Sequence, residues 1–410
     1  MLETLTSWSA NWPWAATPRR LASLDTDRLA STFLLLVALF LALPLLLTVI
    51  PARGTLVAPI EERRTATPFP SIRLLLDANG DFAGGLNHWF DDRMGLRDLF
   101  IRAKNQVDST LFHTSRKVYV GRAGWLFQRG EAIRHATAAQ LSAIEDRFLA
   151  LARRLQDRGV HLIVVGYPRK SSIYPEMAPP EMPLVPVGGA YDHLRQFLAS
   201  RPELTFIDAQ EIIEREKSLT TEHVYSQQDL HATQVGQLPV VKAIIARIAD
   251  IEGRPEIRWN ENFKLAHTYV GADFGTEGRF LSLLFPTRES NPYFDKGYEI
   301  GGNEPDGRWI LPDRRVFESA DDGVGRPFDW EFRSSPELCL QRLPGMVLFG
   351  NSFSDFYWAL GLHRYFCSIR RARNPISRFK LFYDTMPADT KYFIFEYYEP
   401  WLWDEPPPPN

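Results

Sequence analysis

Three residues in this chain have the types and the settings that acyl transfer needs. Met346-Val347-Leu348-Phe349-Gly350-Asn351-Ser352-Phe353-Ser354 runs from an apolar, strand-like stretch through a small-residue turn toward a helix. A serine at such a turn lies at the carboxyl end of a parallel strand, where α/β folds place their sites. Its backbone N–H, at the helix start, is available to an oxyanion. A plain helix N-cap would suit the same position. Upstream, Tyr225-Ser226-Gln227-Gln228-Asp229-Leu230-His231 sets a carboxylate two residues before an imidazole. In extended backbone, residues two apart point to one side, so Asp229 can hold the tautomer of His231 while His231 takes the Ser352 proton. Asp-x-His alone equally describes a solvated helix start. The combination with a strand-end serine is more specific and makes Ser352, His231 and Asp229 the candidate catalytic triad.

The elements that must position these residues alternate as in an α/β domain. Thr137 and Gln140 form a capping box for a helix to about Arg158. Val160 to Tyr167 is the β-branched, apolar run of a buried parallel strand. A helix is expected near Ala190 to Leu198, a strand at Leu204 to Ile207 and a helix from Thr233 to Ile251. Residues 252–340 lose the rhythm and read as a long loop-rich insertion. Order returns with a strand at Gly345 to Phe349, a helix after Ser354, and strands near Tyr365 to Ile369 and Tyr392 to Phe395. The tail ends at Pro406 to Pro409.

Ahead of this domain, Leu29 to Ile50 holds no charged residue and is long enough to cross a hydrocarbon core as a helix. It exceeds a normal signal-peptide core, and no small-x-small site follows it, so an uncleaved anchor is expected. Arg19, Arg20 and Arg28 before it balance Arg53, Arg63 and Arg64 after it, leaving the charge rule close to a tie. Residues 1–28 read as a short cytoplasmic tail and 51–81 as an extended stalk. Two amphipathic helical pieces broken at Met94-Gly95 open the 82–405 domain. A net charge of −3 leaves no basic excess for nucleic acid, and the two cysteines, Cys339 and Cys367, make no zinc-like cluster. These cysteines bracket the Ser352 strand and would be either a disulfide or two buried thiols.

Five ordered elements resemble the SGNH-hydrolase-like alginate O-acetyltransferase family, the AlgJ and AlgX proteins. They are Phe90-Asp91-Asp92-Arg93-Met94-Gly95-Leu96-Arg97, Val120-Gly121-Arg122-Ala123-Gly124-Trp125-Leu126-Phe127, Tyr167-Pro168-Arg169-Lys170-Ser171-Ser172-Ile173-Tyr174-Pro175-Glu176, the Asp229-x-His231 pair and the Ser352 turn. Two positions depart from the pattern: Ala232 stands where a tryptophan usually follows the histidine, and Asn351 where Asp or Thr is common. The resemblance is closer to the membrane-anchored AlgJ type. It implies a three-layer α/β/α domain with a parallel sheet, no cofactor, and an acetyl group carried on Ser352 to a polysaccharide hydroxyl. It further implies an acetyl donor delivered by a membrane-bound O-acyltransferase partner, with the catalytic domain in the periplasm and residues 29–50 in the inner membrane. Asn351 becomes a candidate second oxyanion donor, and Lys170, Tyr174 and Trp358 conceivable substrate-binding residues. For Lys170 and Tyr174 a structural turn is favoured, Trp125 reads as core, and Arg93 and Arg97 as structural ion-pair partners. The same triad would serve an acetyl esterase, with water attacking the acyl-serine. A non-catalytic glycan-binding scaffold would keep the fold without the chemistry.

Overall fold

The computed structural model describes residues 26–49, 65–77, 80–131, 136–271, 275–295, 297–311, 328–373 and 379–403, with 57, 60 and 407 singly. Most of the expected tail, much of the stalk and most of the proline-rich end lie outside the described residues. The chain forms two units, Met1–Ile101 and Arg102–Asn410.

In the first unit, helix α1 spans Thr26–Val49. Its stretch Arg28–Thr48 is long and apolar enough to cross a membrane. Helix α2, Phe82–Arg93, starts where the Asp81 carboxylate accepts the Gly84 N–H at 2.7 Å. Helix α3, Arg97–Phe112, follows after a break at Met94–Leu96, as the sequence predicts. The Asp92 carboxylate accepts both the N–H and the hydroxyl of Thr67 at 2.7 Å. Arg93 donates to the Thr67 carbonyl and lies over the Trp89 ring; the contacts seen for it are a carbonyl and a ring, where an ion pair was expected. Arg97 does pair with Asp98, at 3.5 Å.

The second unit carries eleven strands among the described residues: β1 Val118–Val120, β2 Leu126–Gln128, β3 His161–Tyr167, β4 Thr205–Asp208, β5 Lys264–Gly271, β6 Arg288–Asp295, β7 Gly307–Ile310, β8 Trp330–Ser334, β9 Gly345–Gly350, β10 Ser368–Arg373 and β11 Thr390–Tyr398. Seven of them form one sheet in the order β4-β3-β11-β9-β10-β8-β7. The first five run parallel, while β8 and β7 extend the edge antiparallel, so the sheet is mixed. Alternation of side chains sorts the buried strands into two cores. Ile163, Val165, Leu348 and Ile394 pack on one face with α7, Ala209–Leu219, and α8, Gln234–Ile251. Val164, Val347, Phe349 and Phe395 pack on the other with α4, Ala138–Gln156, and α6, Ala190–Ala199. The result is the expected α/β/α layering. The Thr137–Gln140 capping box is present at the head of α4.

Three expected elements move. The strand expected at Leu204–Ile207 lies one residue later. The strand expected at Tyr365–Ile369 is β10, whose arginines hide it from a hydropathy reading. Arg370 pairs with Glu331 at 2.7 Å and Arg371 with Asp329 at 2.7 Å, so the charges are met from β8 and its approach. The helix expected directly after Ser354 is not α-helical. Residues 352–365 wind as two short 3₁₀ pieces that bury Phe353, Tyr357, Leu360 and Leu362, and Gly361 at φ +78° breaks any continuation.

Candidate active site

Ser352 stands immediately beyond β9, the strand flanked by β11 and β10. Its turn is pinned from both neighbours. The Asn351 carbonyl accepts the Arg371 guanidinium of β10 at 2.8 Å and the Ser354 hydroxyl at 2.9 Å. The Ser354 N–H donates to Glu396 of β11 at 3.2 Å. A Cβ on Gly350 would come within 2.8 Å of Ser354 Oγ and 3.0 Å of Glu396 Oε1, so glycine lets the turn close onto the sheet. The Asn351 side chain turns its carbonyl oxygen to the Phe353 N–H at 2.9 Å, which directs its amide nitrogen away from that contact.

The loop carrying Asp229 and His231 is closed on itself and held by three other segments. Tyr225 and Ala232 bridge its ends. The Lys170 ammonium, at the head of helix α5, Lys170–Ile173, donates to the carbonyls of Ser226, Gln227 and Asp229 at 3.2, 3.2 and 2.9 Å. It also pairs with Glu277 at 3.3 Å, both side chains being almost wholly buried. Glu289 of β6 accepts the Ser226 hydroxyl and, at 2.6 Å, the Gln227 N–H. Helix α9, Thr276–Leu281, comes so close that a Cβ on Gly275 would meet the Gln228 carbonyl oxygen at 2.2 Å.

These two constructions meet, although 121 residues separate them: His231 Nε2 lies 2.6 Å from Ser352 Oγ, and His231 Nδ1 lies 2.9 Å from Asp229 Oδ2. The second Asp229 oxygen accepts the N–H groups of Leu230 and Thr276, each at 2.9 Å. Burial opposes ionisation of Asp229, but the His231 charge and hydrogen bond, with the Thr276 contacts, outweigh it and hold the carboxyl well below the usual carboxylate range. An ionised Asp229 fixes the proton on Nδ1 and leaves Nε2 to accept from the serine hydroxyl. The imidazole is flanked by the rings of Phe353 and Phe356, at 5.0 and 6.4 Å.

The remaining sequence candidates fall outside this contact. Lys170 is buried behind the loop with its charge spent on carbonyls and Glu277, so it braces the site and does not line the pocket. Tyr174 does the same: its hydroxyl accepts the Val224 N–H at 3.1 Å and its ring lies 4.1 Å from that of the buried Trp125. Trp358 packs against the core, and Phe356, 37% exposed, supplies the aromatic wall instead. Cys339 and Cys367 are joined as a disulfide, Cα to Cα 4.4 Å. Sequence reading missed Glu289, Glu277 and Glu396. Burial pushes the Glu396 carboxyl up to about 7, against the Tyr357 hydrogen bond, the Arg371 charge and the N–H groups of Ser354 and Asn351. A lone carboxylate inside the aromatic run Tyr392–Tyr398 was its signal. Among the described residues no group of three or more His, Cys, Asp or Glu converges to hold a metal.

Residues 118–276 match the family described as SGNH hydrolase-like domain, acetyltransferase AlgX. That match takes in Asp229 and His231 and ends before Ser352. The chain is 27% identical over 223 residues to the probable alginate O-acetylase AlgJ of Pseudomonas aeruginosa, covering 53% of each protein. It thus spans about half the length of this curated relative. Solved structures that match include the following two. The O-acetyltransferase domain of Pseudomonas putida AlgJ matches at 17% identity and TM-score 0.45, over 70% of this chain and 92% of that one. Bacillus cereus PatB1 matches at 11% and 0.45, over 68% and 95%. With its SGNH-hydrolase-like α/β fold, the chain is AlgJ/AlgX-like.

Proposed function

We propose that this protein is an O-acetyltransferase that carries an acetyl group on Ser352 to a hydroxyl of an extracytoplasmic polysaccharide. The observation that carries the reading is the hydrogen-bonded series Asp229–His231–Ser352, at 2.9 and 2.6 Å, at the carboxyl end of β9. His231 Nε2 takes the hydroxyl proton as Ser352 Oγ attacks the donor carbonyl, then returns it to the leaving group. The acceptor hydroxyl next gives its proton to the same nitrogen, attacks the acetyl-serine, and the proton goes back to Oγ. Asp229 stays ionised and stabilises the imidazolium. The Ser352 N–H and the Asn351 amide face the oxyanion.

The name of the Pseudomonas aeruginosa relative supports acetyl transfer to a polysaccharide such as alginate. The apolar Arg28–Thr48 helix supports a single-pass inner-membrane anchor with the site in the periplasm, where a membrane-bound O-acyltransferase would deliver the donor. The test is the full-length protein in detergent with p-nitrophenyl acetate, followed by intact-mass measurement. An acetyl adduct on the wild type, lost in Ser352→Ala and slowed by roughly 10⁴-fold or more in His231→Ala, is expected. An adduct of equal yield in Ser352→Ala would sink the reading.

A further inference from the structure

The amide that joins Asn351 to Ser352 is held on its carbonyl side by a buried cation. Arg371 lies in β10 opposite Leu348 of β9 and shares its face with Ile369, on the side where Ile369 and Phe353 are buried. From there its guanidinium donates to the Asn351 carbonyl at 2.8 Å and reaches the Ser354 hydroxyl at 3.4 Å. Its other arm is fixed by Asp329 at 2.7 Å, and Asp355 pairs with the nitrogen that holds the carbonyl. Glu396 of β11 takes the N–H groups of Asn351 and Ser354. The backbone around Asn351 is thus gripped from both strands that flank β9.

An amide is planar and trans, so its C=O and N–H point in opposite directions. A donor locked on the Asn351 oxygen therefore also fixes the Ser352 N–H, which points away from the guanidinium. The hydrogen bond to the carbonyl strengthens the same amide as a donor. Arg371 and Arg373 meet Asp329 and Asp355, two charges of each sign, so the cluster supplies direction and polarisation and little net positive field.

We propose that Arg371 is a positioning residue for acylation, aiming and polarising the Ser352 N–H that stabilises the oxyanion. The inference rests on the acyl-serine reading and adds a residue to it. As the bond from Ser352 Oγ to the acyl carbon forms and His231 takes the proton, the carbonyl electron pair moves onto oxygen. It returns when the bond to the leaving phenolate breaks and the phenolate departs. A misaimed N–H should slow adduct formation by roughly tenfold to a hundredfold.

The full-length protein in detergent is acylated with p-nitrophenyl acetate and, separately, with its thiono counterpart, in which sulfur replaces the carbonyl oxygen and accepts hydrogen bonds only weakly. Adduct formation is followed by intact mass in the wild type, Arg371→Met and Arg371→Lys. Ser352 and His231 act alike on both donors, so damage to their contact or a smaller folded fraction scales both rates together. Loss of the aimed N–H falls on the oxygen ester. The oxygen-to-sulfur rate ratio is expected to drop about tenfold or more in Arg371→Met, and less in Arg371→Lys, which keeps the buried charge on a single donor arm. Thermal unfolding identifies the folded variants, and if Arg371→Met is not folded the ratio in Arg371→Lys decides. A ratio equal to that of the wild type, whether both rates fall together or neither does, makes Arg371 purely structural and overturns this inference alone. A wild type that forms no adduct with either donor removes the acyl-serine reading and this inference with it.

Discussion

Replacing Lys170 with methionine keeps the length of the side chain and deletes its charge, which makes it the sharpest probe of how the site is held. The ammonium makes three carbonyl hydrogen bonds, to Ser226, Gln227 and Asp229, and an ion pair with Glu277. Removing one partner of a buried pair costs about 3–5 kcal/mol, and each carbonyl stripped of its donor adds on the order of 1 kcal/mol, less than additively. A loss near 4 kcal/mol is therefore expected, or about 6 °C in Tm for the Arg102–Asn410 unit. Loosening the Asp229–His231 loop by about 1 Å should also slow acetyl-Ser352 formation by roughly 10²-fold. The assays are thermal unfolding of the full-length protein and the rate of adduct formation by intact mass. The double variant Lys170→Met, Glu277→Leu separates charge from geometry. It should regain much of the stability, because no buried carboxylate then lacks its cation, but little of the rate, because the loop carbonyls remain unbraced. A Lys170→Met protein within 1 kcal/mol of the wild type, or a double variant as unstable as the single one, would refute the clamp.

Other outcomes can be stated briefly. Asp229→Asn should fold but lose roughly 10⁴-fold in adduct formation, since the amide no longer enforces the His231 tautomer; a loss under tenfold would argue against Asp229 as the orienting group. Glu396 has a folded pKa raised to about 7, so between about pH 4.5 and 7 the native state holds a proton the unfolded state has released. Its contribution is complete below the unfolded value and is lost as pH rises through the folded one. Urea midpoints of wild type and Glu396→Gln should accordingly diverge by an amount equivalent to roughly 3 kcal/mol between pH 4.5 and 8, and parallel pH curves would contradict the burial argument. The Cys339–Cys367 bond closes a span of 28 residues; opening it with Cys339→Ser should cost about 3–4 kcal/mol on the loop-entropy account, read as a lowered urea midpoint, and an unchanged midpoint would exclude it as a brace.

How far the sequence predicted this molecule depends on whether the determinant was local. The Ser352 turn and the Asp229-x-His231 pair each carry their chemistry within a few residues, so both were visible, and so were the buried strands β3, β9 and β11. The 3₁₀ winding after Ser352 was not visible, because it follows from packing Phe353, Tyr357 and Leu360 under the turn and from the left-handed Gly361. Nor was β10, whose arginines look like a surface until Glu331 and Asp329 stand beside them. Lys170 illustrates the limit best. Its partner Glu277 is 107 positions away, within a region that reads as irregular, so the same motif could pass for a substrate contact or a structural turn until the loop carbonyls closed around it.

The local and remote determinants also occupy different sides of the cavity beside His231. The Asp229–His231–Ser352 hydrogen bonds are carried by the loop at 225–232 and the turn at 351–354, and braced from behind by Lys170, Glu277 and Glu396. The opposite wall of the cavity comes from the β5–β6 hairpin, where Thr268 and Tyr293 take no part in the Asp229–His231–Ser352 hydrogen bonds. Glu289 alone does both, because it lines the cavity while its carboxylate accepts from Ser226 and Gln227. A charge change at Thr268 therefore alters the cavity wall without touching the hydrogen bonds that hold His231. The same change at Glu289 would release the loop, so a loss of activity there would say nothing about the acceptor. The cavity wall should accordingly be varied at alternate hairpin positions such as Thr268 and Tyr293, with Glu289 left in place.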